Sequence, residues 1–369
     1  MINILELIDG GFIGGGQIHV ISIVKNLNKS KFHAIVSASS DGEFKNLLDK
    51  YGLEFQPVHL PKFYRKKYLK PLIDLVERNK IEIIHSHGGV AGVYSRMLKK
   101  NIHGIRIVHS IHGIHYINSG NPFRRFISKA IEQYLVPYTD KFIVASEGDF
   151  KTAERIKIAN PEITEIIPNG IDLSRFFESS SDKTLRVRFA GDENGFIAGN
   201  ISRFDFQKNQ RLIINSSSEI LRKYPDVHFV FIGNGKYLKQ CKSLVRALNV
   251  EKNFLFLDET KETEKFYKNF DLFVFPSLWE GLSLTVIEAM ASGSAILISD
   301  IPQNKELISG GYSGLTFKSG DKNDFTEKFF RLYEDKILRT QLGENALNES
   351  KRYSEKSMVE KIQNVYLCL

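Results

Sequence analysis

Short runs of β-branched and aromatic residues alternate with longer amphipathic segments along the whole chain. This alternation is typical of βαβ units built around parallel sheets. In the first half, the runs that predict strands are residues 2–8, 33–38, 81–85, 106–110, 141–145 and 165–167. In the second half they are residues 196–201, 227–233, 253–257, 271–276 and 295–299. The pattern therefore predicts an α/β protein with two parallel sheets.

A polar, serine-rich segment separates the two sets of strands. Residues 178–183 contain three consecutive serines that are expected to pack against nothing, and residues 189–195 form a turn rich in Gly, Asp and Asn. Near the C-terminus, apolar residues at helical spacing predict a final helix. We therefore expect a first domain over residues 1–180, a second over 181–350, and a C-terminal helix over 351–369 that returns to the first domain.

Composition narrows the class of protein. The chain has 369 residues, of which 42% are hydrophobic and 25% charged, as in ordinary globular proteins. No apolar run approaches the ~18 residues of a membrane span, and the N-terminus lacks the basic region of a signal peptide. Two cysteines cannot form a disulfide framework. These features predict a cytoplasmic location.

The net charge of +8 indicates an anionic partner. The first 180 residues carry 24 basic and 18 acidic residues, whereas the remainder carries 27 and 25. Nucleic acid, an anionic membrane surface and a phosphorylated substrate would each suit this excess. Composition alone does not choose among them.

A glycine-rich turn follows the first predicted strand. Residues 10–16 read GGFIGGG and precede a helix predicted over 17–27. Glycine permits positive φ and lets backbone amides at a helix N-terminus approach an anion. The spacing does not match G-x-G-x-x-G, and Gln17 stands where a P-loop has lysine. A phosphate-binding loop and a plain tight turn are both compatible with this segment.

Histidines are concentrated in the first half of the chain. His85 and His87 follow one strand, and His109, His112 and His115 follow the next. They could be metal ligands, buried structural residues or substrate contacts at strand ends. Metal binding is disfavoured because the amidohydrolase-type barrel that uses such a pair needs further ligands on later strands. His112 stands out because the glycine that follows it leaves space beside the imidazole.

The densest chemical signal lies at residues 275–293. Glu280 lies in a loop after a strand, and Glu288 lies inside a helix predicted to begin near Ser283. Free amides at a helix start can bind phosphate, and carboxylates accept hydrogen bonds from sugar hydroxyls. Arg203 and Lys208 follow an earlier strand and could neutralise a diphosphate. A further glycine turn on the same sheet edge begins at Gly233.

Together these motifs resemble the retaining GT-B glycosyltransferases of family 4, which include sucrose synthase and many capsule and lipopolysaccharide enzymes. The Glu-x(7)-Glu spacing of Glu280 and Glu288, with the trailing Glu-Ala-Met-Ala-Ser-Gly, is the most specific element. The resemblance covers nearly the whole chain. It implies two Rossmann-like domains that face a central cleft.

The resemblance also implies roles for individual residues. Arg203 and Lys208 would clamp the diphosphate, Glu288 would bind the ribose, and Glu280 would bind the donor sugar. His112 would approach the sugar on the acceptor side. The remaining implied substrate-binding residues are Gly14, Gly15, Gly16, Gly233, Gly281, Leu282, Ser283, Leu284 and Thr285. Neither a metal nor another cofactor is implied.

Departures from the family pattern bear on the nucleotide. The family commonly has Glu near Gln17, Gly near Asp258 and Pro near Ser294. The change near Asp258 leaves recognition of the base by residues 258–263 open among uridine, guanosine and adenosine. UDP is favoured because it is the commonest donor nucleotide among relatives with a similar Ser-Leu-Trp-Glu-Gly-Leu motif.

The implied reaction is retaining transfer of a hexose or N-acetylhexosamine from a nucleotide sugar to a lipid-linked or surface-glycan acceptor. Basic residues interleaved with aromatics at 62–70 and 123–126 predict peripheral contact with an anionic membrane at its cytoplasmic face; a solvated basic loop is the alternative. A nucleotide-sugar 2-epimerase of the same architecture is the rival enzyme. Nucleic acid is not expected as a partner, because no recognition module is evident and the two glutamates would repel phosphates.

Overall fold

The computed structural model describes residues 1–11, 13–39, 42–62, 64–113, 121–260 and 262–369. Features predicted at Phe12, Phe63, His115 and Lys261 lie outside these ranges. The chain divides into two compact units, one comprising Met1–Gly170 with Glu355–Leu369 and the other Ile171–Ser354. Each is an α/β unit with its own core.

The first unit contains a six-stranded parallel sheet with the order β2-β1-β3-β4-β5-β6. Its strands are β1 (Ile2–Ile8), β2 (Phe32–Ser37), β3 (Ile83–His87), β4 (Arg106–Ile111), β5 (Lys141–Val144) and β6 (Thr164–Ile166). The helices that alternate with them are α1 (Gly15–Asn26), α2 (Phe44–Lys50), α3 (Leu69–Arg78), α4 (Gly89–Leu98), α5 (Pro122–Leu135) and α6 (Glu147–Arg155).

Helices cover both faces of this sheet, which explains why β1 is apolar at nearly every position. Ile4 and Leu5 point to opposite faces, and each is fully buried in a separate hydrophobic cluster. A strand buried on both sides reads as a continuous apolar run rather than an alternating one. Glu6 interrupts that run with a charge.

The second unit contains a six-stranded parallel sheet with the order β12-β11-β10-β7-β8-β9. Its strands are β7 (Phe196–Ile201), β8 (Val227–Ile232), β9 (Phe254–Leu257), β10 (Leu272–Phe275), β11 (Ile296–Ser299) and β12 (Leu315–Phe317). Its helices are α7 (Ser174–Phe177), α8 (Lys183–Ala190), α9 (Gln210–Lys223), α10 (Leu238–Ala247), α11 (Glu264–Tyr267), α12 (Leu284–Ala291), α13 (Pro302–Leu307), α14 (Lys322–Glu334) and α15 (Lys336–Ser350). The two parallel sheets were predicted and are confirmed, but β12 was missed because three residues are too few to show a period.

The last helix, α16 (Glu355–Leu367), belongs to the first unit. Its apolar face packs with Ile4, Ile23 and Ile83 in one hydrophobic cluster. Glu355 accepts hydrogen bonds from Ser22 Oγ at 2.7 Å and Lys25 Nζ at 3.2 Å on α1. The end of the chain thereby completes the core around its beginning.

The serine-rich segment is not the unpacked linker that its composition suggested. Ser181 Oγ and the Asp182 amide both donate to Asn269 Oδ1, at 3.0 and 2.9 Å. The Asp182 side chain caps α8 by accepting from the amides of Thr184 and Leu185. That expectation was wrong because local caps and one buried asparagine hold the segment in the second unit. The boundaries of the units accordingly differ from the predicted divisions at 180 and 350.

The strand orders fix where ligands can bind in each unit. In each sheet, the order in which the chain adds strands reverses direction at one pair of neighbouring strands. The pair is β1 and β3 in the first unit, and β7 and β10 in the second. Loops that leave the carboxyl ends of such a pair diverge and open a crevice. No helix within the described ranges is long and apolar enough to cross a membrane.

Candidate active site

Two loops meet at the carboxyl ends of β7 and β10. The turn after β7 contains Gln207 and Lys208, and the loop after β10 contains Leu278, Trp279 and Glu280. The Leu278 amide donates to the Gln207 carbonyl at 2.8 Å, and Gln207 Nε2 donates to the Trp279 carbonyl at 2.6 Å. These bonds hold the two loops in a fixed register.

The loop register places Lys208 and Glu280 in a direct ion pair. Lys208 Nζ lies 2.6 Å from Glu280 Oε1, and the two side chains are only 14% and 8% exposed. Lys208 Nζ also lies 4.7 Å from the centre of the Phe275 ring. Because an ammonium has three donors, the bond to Glu280 leaves Lys208 with further capacity to bind an anion.

Arg203 is placed differently from Lys208. Its side chain is 66% exposed, and its guanidinium lies 3.5 Å from Asp205 Oδ2. The structure therefore brings Lys208 and Glu280 together but does not pair Arg203 with either of them. A diphosphate clamp formed by Arg203 and Lys208 stays a prediction.

The loop after Glu280 leads directly into α12. Leu282 and Ser283 are buried, and Leu284 is the first helical residue. Ser283 is the N-cap residue of α12, but its side chain makes no capping hydrogen bond to the described residues. The first turn of the helix contains no acidic residue. Amides at a helix start and the positive end of its dipole attract an anion.

Glu288 lies one turn into α12 and has partners of its own. It accepts hydrogen bonds from Tyr267 Oη at 2.9 Å and Thr263 Oγ1 at 3.2 Å. Burial raises the pKa of Glu288 to about 7, although both hydrogen bonds oppose the shift. The carboxyl group therefore changes its charge near neutral pH.

Gly233 lies where the loops after β8 and β7 pack closely against each other. Its φ is +144°, and an added Cβ would lie 2.2 Å from the Ser202 carbonyl oxygen. Gly235 has the same relation to the Phe204 carbonyl, at 2.4 Å. The close approach that these glycines permit is between the loops after β8 and β7, so their requirement is explained without a substrate.

In the first unit, the glycine-rich turn leads into α1. Gly10 has φ of +83°, whereas Gly14 is extended and Gly15 and Gly16 are the first two residues of the helix. The expectation of positive φ in this turn thus holds at Gly10 but not at Gly14, Gly15 or Gly16. Gln17 Nε2 donates to the Asp9 carbonyl at 3.3 Å and closes the turn on itself.

The candidate histidines on β3 and β4 are buried. Glu6, His85 and His87 are wholly inaccessible, and His87 Nε2 lies 2.7 Å from Glu6 Oε2. His109 is buried as well, with Nδ1 3.0 Å from Ser86 Oγ. Among the described candidates after β3 and β4, His112 alone is partly exposed, and its Nε2 lies 3.0 Å from His87 Nδ1. A contact between His112 and a substrate stays a prediction.

Two overlapping groups have the composition of a metal site. One contains His19, His87 and His112, and the other Glu6, His85 and His87, with potential ligand atoms within 4.8 Å of one another in each. His87 is common to both, and its two ring nitrogens already face Glu6 and His112. Both ring nitrogens of His87 thus have hydrogen-bond partners within the protein.

Several residues at these sites were not predicted. Tyr267 binds Glu288, Glu6 and His19 contact His87, and Tyr366 donates to Glu6. Glu6 could have been found, because a charge within an otherwise apolar strand must have a buried partner. Tyr267, His19 and Tyr366 carry no such signal in the sequence.

Comparison with known proteins assigns the family. The model of glycosyl transferases group 1 matches residues 181–349, and that of glycosyltransferase family 4 matches residues 13–175. The chain belongs to glycosyltransferase family 4. Members of this family are retaining hexosyltransferases with the GT-B fold, so the predicted family, fold and enzyme class are confirmed.

Individual family 4 relatives match over most of their length. The UDP-Gal:alpha-D-GlcNAc-diphosphoundecaprenol alpha-1,3-galactosyltransferase of Escherichia coli is 26% identical over 82% of this chain and 79% of its own. The N,N'-diacetylbacillosaminyl-diphospho-undecaprenol alpha-1,3-N-acetylgalactosaminyltransferase of Campylobacter jejuni is 26% identical over 93% of both chains. The structure of Anabaena HepE in complex with UDP and glucose superposes with a TM-score of 0.89 over the full length of both chains, at 20% identity.

The raised pKa of Glu288 predicts how stability depends on pH. The unfolded chain loses this proton near pH 4.5, whereas the folded chain keeps it until about pH 7. The contribution of Glu288 to stability therefore falls as pH rises from about 4.5 to 7 and is lowest above pH 7. Glu288→Gln cannot ionise, so its stability relative to the wild type should increase by roughly 2–3 kcal/mol between pH 5 and pH 8.

Urea unfolding at the two pH values measures this difference. Glu327→Gln, at an exposed carboxylate on α14 in the same unit, is the matched control and should follow the wild type. A Glu288→Gln effect of equal size at both pH values would contradict the assignment.

Proposed function

We propose that this family 4 enzyme transfers a hexose or N-acetylhexosamine from a UDP-sugar to a lipid-linked acceptor in the synthesis of a surface polysaccharide, with retention at the anomeric carbon. The observation that carries the proposal is the buried Lys208–Glu280 pair beside the start of α12. The pair places a cation that can bind the diphosphate next to a carboxylate that can accept hydrogen bonds from sugar hydroxyls. The undecaprenol-linked acceptors of the Escherichia coli and Campylobacter jejuni relatives support an acceptor of the same class here.

In this proposal each group at the second sheet has a distinct role. Lys208 keeps its bond to Glu280 and donates its other protons to the diphosphate, assisted by Arg203 and the amides at the start of α12. Glu280 then orients the sugar hydroxyls. Glu288 accepts from the ribose when it is ionised. The loops around the ligand are held by the segment Gly281–Ser283 and by Gly233. In the first unit, the proposed ligand contacts are His112 and residues 14–16.

The chemical step breaks the bond between the anomeric carbon and the β-phosphate oxygen, and forms a bond from that carbon to the acceptor hydroxyl oxygen. The acceptor proton passes to the departing diphosphate on the same face of the sugar. Negative charge develops on UDP as it leaves. Lys208 and the α12 amides stabilise that charge, and one preorganised donor of this kind contributes ~3 kcal/mol.

The assay combines a panel of UDP-sugars with an undecaprenyl-diphosphate-linked saccharide, and determines the product linkage by NMR. We expect an α-linked product from an α-configured donor, with turnover reduced at least ~100-fold by Glu280→Gln. Glu334→Gln, at an exposed ion pair with Lys223, is the control and should turn over normally. A β-linked product, or epimerisation of the UDP-sugar without an acceptor, would contradict the proposal.

We further propose that the first unit binds the inner face of the cytoplasmic membrane through α5. Helical periodicity places Phe123, Phe126, Ile131 and Tyr134 on one side of this helix, and all four are exposed, with Phe123 and Phe126 at 71%. An apolar helix face turned to solvent is typical of a binding surface.

The opposite side of α5 is anchored to the protein. Glu132 lies 2.8 Å from Arg96, which is buried on α4. Arg124 and Lys129 flank the apolar face at helical spacing, and the segment from Lys62 to Lys70 adds further exposed basic side chains. Apolar anchors between cations suit an anionic lipid surface.

Vesicle sedimentation at low salt tests this contact. Phe123→Ser with Phe126→Ser should weaken binding to phosphatidylglycerol vesicles at least ~10-fold, because both apolar anchors are lost. Reversing the charges of Lys66 and Lys67 should also weaken vesicle binding, because each basic residue near the surface contributes about 1 kcal/mol of attraction. Ile337→Ser, at an exposed apolar residue on α15, is the control. Unchanged binding by both sets of variants would contradict the membrane contact.

A further inference from the structure

A continuous chain of hydrogen bonds runs from the centre of the first sheet to His112. Glu6 is wholly buried on β1, and its carboxylate accepts from Tyr366 Oη at 2.8 Å through Oε1. Its other oxygen lies 2.7 Å from His87 Nε2, and His87 Nδ1 lies 3.0 Å from His112 Nε2. The chain thus leads from a buried charge to the one partly exposed imidazole of the cluster.

The charge on Glu6 sets the direction of every bond in this chain. Burial alone would raise the pKa of Glu6, but His85 and His87 outweigh it and lower the pKa to about 2. Burial and His85 lower the pKa of His87 to about 4. At neutral pH the chain therefore joins a carboxylate to an uncharged imidazole.

A carboxylate can only accept hydrogen bonds, so the Nε2 of His87 must carry its proton. An uncharged His87 then has a lone pair on Nδ1 and must accept at that atom. The donor is His112 Nε2, and in the uncharged ring this leaves the Nδ1 of His112 without a proton. One buried charge thus decides the tautomer of two successive rings.

We infer that Glu6 and Tyr366 are positioning residues, which act through His87 to hold His112 in the tautomer that carries its proton on Nε2. Fixing the tautomer of a functional histidine through a buried carboxylate follows the logic of catalytic triads. The effect on turnover rests on the proposed function, since it assumes that His112 contacts the donor sugar. The tautomer itself does not depend on that assumption.

The surroundings favour this arrangement. The His19 ring packs edge-on against His87 and His112, with centroids 5.6 and 4.8 Å away. Burial and the neighbouring histidines hold the pKa of His19 well below its ordinary value, so this ring adds no charge. Tyr366 comes from α16 and also lies 2.5 Å from His85 Nδ1. The helix that completes the core thereby supplies a donor that orients Glu6.

In the chemistry of transfer, the unprotonated Nδ1 of His112 would accept a hydrogen bond from a sugar hydroxyl. The opposite tautomer would present an N–H in its place and reverse that bond. A variant that reverses the direction of these hydrogen bonds should therefore impair turnover while leaving the donor nucleotide bound at the second sheet. This separation distinguishes positioning from general loss of structure.

The test is the nitrogen-15 spectrum of the histidine side chains in the full-length protein, with the signals of His112 identified by their loss in His112→Gln. In the wild type we expect a proton on Nε2 of His112. In Glu6→Leu the acceptor is gone, and an unpaired buried N–H costs more than an unpaired lone pair. His87 should then move its proton to Nδ1, and His112 should follow.

Two further variants make the comparison specific. In Glu6→Gln the amide oxygen can accept from His87 while its NH₂ group donates to Tyr366, so this conservative variant should retain the wild-type tautomer. Glu355→Leu removes another buried carboxylate of the same unit, which binds Ser22 and Lys25 instead, and should leave His112 unchanged. We expect kcat to fall about 100-fold in Glu6→Leu alone, with the affinity for UDP unaltered.

A proton on Nδ1 of His112 in the wild type would overturn the inference, even if Glu6→Leu did not fold. An unchanged tautomer in a folded Glu6→Leu variant would overturn it as well. If the tautomer reverses as expected but no variant or wild type transfers sugar from any UDP-sugar, the positioning role stands and the proposed function fails.

Discussion

A carboxylate that is removed from water must be paired, and this constraint organises both units of the protein. In the second unit, Glu280 is paired with Lys208 at 2.6 Å, and in the first, Glu6 is surrounded by donors from His87 and Tyr366. A buried pair rarely adds net stability, because desolvation offsets the attraction. Such pairs are therefore better understood as devices that fix the orientation of a site, and in both units the paired group lies beside a candidate substrate contact.

The strand orders explain why the paired groups are found where they are. Glu280 and Lys208 follow β10 and β7, and Glu6 and His87 lie on β1 and β3, so each set belongs to the pair of strands at which the winding reverses. At these positions the loops diverge and the ends of the strands stay accessible to a ligand. The strand order thus determines where each site lies, and the buried charged groups provide its functional side chains.

The sequence was sufficient to predict the site residues that lie at the end of a strand or at the start of a helix. Lys208, Glu280 and the start of α12 follow from strand ends and from the helix predicted to begin near Ser283, which have local signals. Tyr267 and Tyr366 could not be found in this way, because each reaches its carboxylate from a distant segment and looks like an ordinary core aromatic in the sequence. The placing of Arg203 was equally beyond reach, since the orientation of an exposed side chain depends on neighbours such as Asp205.

The most direct test of the account is calorimetric titration of the protein with UDP. Lys208→Ala removes a charge-assisted bond worth ~2 kcal/mol and leaves the Glu280 carboxylate to repel the diphosphate, so affinity should fall at least ~30-fold. Lys305→Ala, which breaks an exposed ion pair with Asp300 in the same unit, should bind UDP as the wild type does. Equal affinity of Lys208→Ala and the wild type would contradict the claim that the buried pair forms the nucleotide-sugar site.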